Sequence, residues 1–464
     1  MDLMGWKMSS AKELDVDFLL PAKRFLSWLI DVIGQEGWRA RRDSLVSDIR
    51  AVESGVLIDR LPVEPRLFVR PKEGVINWYM YLVDVLGVEV FSDDPFESHR
   101  IYPVFAAIGE QFDKLVKVEG IERVLERLVS LRENHPDNEL FELLVAAHYL
   151  RNGYEVAFVK EDAGVKTPDM RVCRGGVEFF VECKRLGRIT KYSEEENGAW
   201  NSIWSKLSLV ALGYGVSHWL DFTFRVPLSS LDEDYVVEVC RAIYVEDKDF
   251  FEDESLVVKV VKVDVERLNR HFSLNRVRVN SPQIHELIFS GIDSNEKRST
   301  AIVPTGISRL GSVGTVLNIF IDGVATCVGA QWRCIAPESL EKRSRHFKSV
   351  IGRASEQIPA GRIGVVHAFY ETAEGADVEI RRREKLIEAF SGFTASGLIA
   401  TFIHGVHVYP GVEGFEWAET VQHFTIDPSV PDVLFNHHLL LGFVGDKSTK
   451  DDTHWEQDLR LKSE

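Results

Sequence analysis

The residues best suited to chemistry stand in the run VEFFVECK, residues 177–184. Side chains of an extended strand alternate between faces. Val177, Phe179, Val181 and Cys183 therefore point to one side and can enter a core, while Glu178, Phe180, Glu182 and Lys184 point to the other. Glu182 and Lys184 become an acid and a base on one face, about 7 Å apart at Cα. Thirteen residues before Glu182 lies Asp169, directly after Thr167 and Pro168, at the head of a second short strand, DMRV. The proline pins the backbone there. If the two strands pair as a hairpin, Asp169 and Glu182 converge. Two carboxylates at one point repel unless a cation lies between them, and an all-oxygen donor set with room for water suits Mg²⁺ or Mn²⁺. Such an ion polarises a phosphoryl oxygen and acidifies bound water, and an adjacent ammonium, here Lys184, can orient that water or offset charge on phosphorus.

The surrounding elements must hold these groups in place. A helix, FELLVAAHYL, precedes three β-rich runs, GYEVAFV, DMRV and VEFFVECK, separated by Gly, Pro and charged turns. Glu142 lies at the margin of that helix's apolar stripe. An E-x-K triplet alone is commonly no more than the charged face of a half-buried strand; its ordered surroundings carry the reading. Glu142 on a helix, then TPD ending at Asp169, then ECK at Glu182 to Lys184, resembles the PD-(D/E)XK nuclease superfamily, over roughly residues 139–186.

That resemblance implies a mixed α/β, restriction-endonuclease-like core, a central mixed sheet flanked by helices. It implies that Asp169 and Glu182 bind the metal, that the Cys183 backbone carbonyl adds a ligand, that Lys184 is the catalytic lysine, and that Glu142 is the acid of the first core helix and a further metal-site residue. It also implies a helix and a strand after the lysine, the helix carrying a Gln or a basic residue toward the site. Two segments compete: residues 200–212, with Lys206, before HWLDFTFRV; and HFKSVIGRASEQI, with Arg353 and Gln357, before IGVVHAF. The second is preferred for its basic polar face and its ASEQI ending. Gln357 then joins the catalytic set, and residues of about 190–340 become a β-rich, acidic insertion.

The 464 residues suffice for two to four domains. Three amphipathic runs, AKRFLSWLIDVIGQ, INWYMYLVDVLG and IERVLERLVSLREN, predict a helical N-terminal region over 1–135. The RENHPDN break predicts a boundary near 135, with Asp137 or Asn138 capping the next helix, and a nuclease-like domain over 136–464. A net charge of −17 disfavours a chain that coats nucleic acid along its whole surface. The acidity is uneven: residues 231–254 hold ten acids and two bases, whereas 341–362 hold six bases and two acids. Lys342, Arg343, Arg345, Lys348 and Arg353 are therefore the expected phosphate contacts.

Other motifs carry less. His404 and His407 fall on opposite faces of a strand and make poor joint ligands, and RLGSVGTVLNIF lacks the GK[ST] of a phosphate loop. Five cysteines without a CxxC pair argue against a disulfide framework and predict a reducing, cytoplasmic setting. The acidic N-terminus and the lack of a long apolar run predict neither export nor a membrane partner. The expected function is a Mg²⁺-dependent deoxyribonuclease, with prokaryotic restriction, defence against mobile DNA or repair as the setting by resemblance. Its expected partners are DNA and either a second copy of the chain or another protein met through the N-terminal helices. An RNase and a noncatalytic adaptor on the same fold are the alternatives, since the chemistry at the metal does not distinguish the sugar.

Overall fold

A computed structural model describes residues 16–55, 74–86, 95–131, 136–160, 166–187, 190–278, 287–288, 298–302, 307–309, 319–371, 374–410, 415–427 and 439–441. Helices α1 (Val16–Ile33), α2 (Gln35–Gly55), α3 (Val75–Val85), α4 (Pro95–Glu110), α5 (Phe112–Leu115) and α6 (Ile121–Leu128) precede α7 (Asp137–Arg151). The chain continues through β1 (Glu155–Phe158), β2 (Met170–Arg174) and β3 (Val177–Arg185). Next come α8 (Lys191–Gly213), β4 (His218–Phe224), α9 (Glu233–Val245), β5 (Phe250–Glu252), β6 (Leu256–Lys262) and α10 (Val265–Leu274). Five short strands follow: β7 (Val277–Arg278), β8 (Arg298–Ile302), β9 (Ile307–Arg309), β10 (Ile319–Ile321) and β11 (Val328–Cys334). The last elements are α11 (Pro337–Arg343), α12 (Lys348–Ser355), β12 (Gly364–Glu371), α13 (Ala376–Phe390), β13 (Leu398–Pro410) and β14 (Phe415–Thr425). The fold is mixed α/β. Among the described residues, no helix is long and apolar enough to cross a membrane.

The principal sheet has the order β1-β2-β3-β12-β13-β14. Its first hairpin is set by Gly175 and Gly176, whose φ angles of 59° and 82° lie in the left-handed region. A two-residue turn of this kind needs positive φ at both positions, which two glycines supply without steric cost. The turn fixes the register Arg174 to Val177 and Met170 to Val181; just before β2, the Asp169 carboxylate accepts from the Cys183 amide of β3. The third strand then pairs in parallel with β12, Val366 opposite Glu182. Of the two competing helix and strand pairs, α12 with β12 joins this sheet, while α8 and β4 belong to another.

One face of the principal sheet packs against α7 and the N-terminal helices in a single apolar cluster, running from Phe25 and Leu29 through Trp78, Phe105 and Leu144 to Val181 and Phe402. The boundary expected near 135 falls between two helices, α6 and α7, and the apolar packing runs straight across it. Close helix packing contributes: a Cβ on Gly109 of α4 would meet the Pro21 carbonyl oxygen of α1 at 1.9 Å, so only glycine admits this approach. Asp137 is the first residue of α7 rather than its cap, and its carboxylate accepts from Tyr79 and Arg100 at 3.2 and 3.4 Å. The other face packs on α12 and α13 through Phe347, Ile351, Val366 and Leu386.

Between β3 and α12 the chain builds a second sheet, β5-β6-β4-β11-β8, with its own core around Trp200, Phe222, Val258 and Trp332. The stretch expected to be β-rich is therefore mixed, with α9 and α10 among its strands. Part of its acidity serves helix capping: Asp232 accepts from the Asp234 amide and Asp264 from the Arg267 amide, each at 2.9 Å.

Candidate active site

The strand pattern from Val177 to Lys184 alternates as its sequence requires, with Phe179, Val181 and Cys183 buried against the helical side. Val177, at the turn, is exposed instead. On the opposite face Glu182 is only 1% exposed, held under α12. Its Oε1 accepts from Lys184 Nζ and from Gln357 Nε2. The Oε2 atom is buried and makes no hydrogen bond among the described residues. The Asp169 carboxylate takes the Cys183 amide, Oδ2 to N at 2.6 Å, which ties the head of β2 to the ECK segment of β3.

Glu142, on α7, borders the same group of charges, yet its Oε2 accepts from Arg127 Nη2 of α6 at 2.8 Å. The same guanidinium lies 3.7 Å from Glu139. Burial, then the charge of Asp169, pushes the Glu142 carboxyl up to about 8 against the pull of Arg127. Glu182 is pushed to about 8 by burial and Asp169, with Lys184 opposing. Burial works to lower the Lys184 pKa, but Glu182 and Asp169 outweigh it and keep the ammonium charged.

Among the described residues, no group of three or more His, Cys, Asp or Glu side chains is arranged to hold a metal ion. The pair Asp169 and Glu182 is a two-carboxylate arrangement, to which backbone oxygen and water would add. A buried carboxylate oxygen without a donor, beside acids whose ionisation is opposed by burial and mutual repulsion, suits a hard divalent cation.

The expected phosphate contacts divide. Arg343 is 5% exposed and turned inward: it donates to the Cys334 carbonyl and lies 3.5 Å from Glu196 and 4.0 Å from Glu374. It neutralises buried acids at the seam between the two sheets and is removed from the surface set. Lys342 pairs with Glu338 at 2.6 Å and lies over the Tyr192 ring, and Lys348 lies over Phe393. Arg345 and Arg353 are exposed. Lys166, just before the TPD segment, pairs with Glu356 beside Gln357 at 3.6 Å, both largely exposed.

Two networks lie outside the sequence reading. Arg185, next to Lys184, donates to Glu371 of β12, which also accepts from Arg100 of α4 at 3.2 Å; Arg100 is paired in turn with Glu97. Behind the sheet, Tyr149, His367, His404 and Glu419 form a buried chain with each contact at 3.0 Å. His404 is thus a core residue, and His407 is buried as well. The only signal for this chain was a polar residue in a run otherwise fit for a core. No protein-family model matches this chain, and neither a curated protein nor a solved structure matches it.

Proposed function

We propose that the protein is a divalent-metal-dependent phosphodiester hydrolase acting on DNA. The observation that supports this reading is the hairpin of β2 and β3, which brings the Asp169 carboxylate onto the Cys183 amide beside Glu182, with Lys184 and Gln357 both on the Glu182 carboxylate. The order α7, β1, β2, β3, α12, β12 is also the order implied by the resemblance to the PD-(D/E)XK nucleases. Asp169, Glu182 and the Cys183 carbonyl would hold Mg²⁺ or Mn²⁺. When bound, the ion would supply charge stabilisation at phosphorus and a more acidic water.

The chain's own groups do the rest. Lys184 stays protonated beside Glu182 and is a fixed positive charge for the phosphoryl oxygens. Gln357 holds the Glu182 carboxylate from the α12 side, while the Cys183 amide holds Asp169. Arg353, on the same helix, and Lys166, at the rim, are exposed cations that can track a phosphate backbone. A role in restriction, defence against mobile DNA or repair extends the same proposal.

The test is incubation of the purified full chain with supercoiled, linear and single-stranded DNA and with RNA, with Mn²⁺ or EDTA. Metal-dependent DNA cleavage is expected, falling at least about 100-fold in Asp169→Ala and Lys184→Ala proteins that retain the wild-type circular dichroism spectrum. Cleavage of RNA alone transfers the reading to an RNase. Absence of cleavage in every arm, or undiminished cleavage by Asp169→Ala, overturns it and leaves a partner-binding fold.

A further inference from the structure

On the face of β3 that carries Glu182 and Lys184, the residues nearer the turn form a second polar cluster. Strand alternation puts Glu178 and Phe180 on that face, and Arg171 of β2 stands opposite Phe180. The Glu178 carboxylate takes two guanidiniums at once: Arg171 Nη1 lies on Oε2 at 3.1 Å, and Arg362 Nη2 lies on Oε1. Arg362, in the loop between α12 and β12, also has its guanidinium carbon 5.6 Å from the centre of the Phe180 ring. The two arginine side chains are each 49% exposed. Each guanidinium has five N–H donors and gives one to Glu178.

Two cations sharing one anion leave the cluster an excess of positive charge, and exposed ion pairs of this kind add little to stability. What they present to solvent is a pair of forked donors, the geometry that matches phosphate oxygens. Phe180, which faces Arg171, stands two residues before Glu182, about 7 Å along the strand. That step is comparable with the one between successive phosphates of an extended nucleic-acid strand. We infer that Arg171 and Arg362 form a subsite for the backbone phosphate next to the one held at Asp169 and Glu182, with Glu178 occupying it in the free protein. This rests on the hydrolase reading above and deepens it by giving the substrate strand a path along β3, from Lys184 toward the turn. Contacts to phosphate do not depend on base sequence. Glu178 competes with the phosphate for the same donors, which sets the sign of the effect of its removal.

The test is binding of a fluorescein-labelled DNA duplex to the full-length protein in EDTA, followed by fluorescence anisotropy over a range of salt concentrations. Arg171→Ala and Arg362→Ala are each expected to bind about 10-fold more weakly than wild type at low salt and to reduce the salt slope by about one. Glu178→Gln is expected to bind at least about threefold more tightly, because a charge that repels phosphate is gone. Arg225→Ala, which breaks an exposed pair with Glu252 beside the second sheet, is expected to stay within about twofold of wild type. A purely structural ion pair predicts the reverse for Glu178→Gln, since loss of either partner would loosen the hairpin and weaken binding. If an arginine variant fails to fold, Glu178→Gln decides alone. Wild-type affinity in the arginine variants, an equal loss in Arg225→Ala, or unchanged or weaker binding by Glu178→Gln overturns the inference, while metal-dependent cleavage by the wild type keeps the hydrolase reading. A wild type that neither binds nor cleaves DNA overturns both.

Discussion

His367 shows how far burial can dictate the state of one side chain. It lies fully inside the sheet, and burial, then the neighbouring His404 and His423, lower its pKa well below 6.5, so the folded protein keeps it neutral. With a neutral ring, Tyr149 can donate to Nε2 and Nδ1 can donate onward to His404. The sign of the pH effect follows. Below 6.5 the unfolded chain takes up a proton that the folded chain refuses, so stability conferred at neutral pH is lost as the solution is acidified. Comparing His367→Asn with the wild type isolates this term. The destabilisation caused by the substitution should shrink by about 2 kcal/mol between pH 7.5 and pH 5, read from urea unfolding. A difference independent of pH would mean that the ring titrates alike in the folded and unfolded states.

At the scale of elements, local signals were legible and distant pairings were not. Alternation in VEFFVECK and the two glycines before it define a hairpin within a few residues, and that hairpin brings Asp169 onto the Cys183 amide, next to Glu182. The basic, Gln-ended helix before β12 was legible for the same reason. Arg343 was misread because a charged run looks solvated when the acids that bury it, Glu196 and Glu374, come from other elements. The contact of Arg100 with Glu371 spans 271 residues, and no periodicity records such a pairing. Two consequences are measurable. Glu371→Ala leaves Arg100 and Arg185 without their shared acid, and should cost about 3–5 kcal/mol in denaturant unfolding; a loss below about 1 kcal/mol would mean that solvent reaches these cations. In the turn, Gly176→Val forces a β-branched residue to a φ of 82°. It should destabilise by about 1–2 kcal/mol and lower cleavage further by disturbing the register. Unchanged stability and activity would show that the glycine is not required there.

For the whole molecule, one apolar cluster joins the N-terminal helices to the principal sheet, while the segment between β3 and α12 has a core of its own. Composition and amphipathic runs announced the helices, but which face each buries against depends on tertiary packing. A fragment beginning at residue 136 would expose Leu140, Phe141 and Leu144 of α7, which the helices now help to cover. It is expected to aggregate or to bind apolar dyes without a cooperative melt. A soluble fragment with a sharp thermal transition would show instead that the helices are a separable unit.

The site itself reduces to whether Asp169 and Glu182 serve one cation. Crystals of the full-length protein soaked in Mn²⁺ and measured at the manganese edge would settle this. The expected result is one anomalous peak within about 2.0–2.4 Å of an oxygen from each carboxylate. A peak bound to only one of the two, or manganese located elsewhere with both carboxylates unaltered, would contradict it.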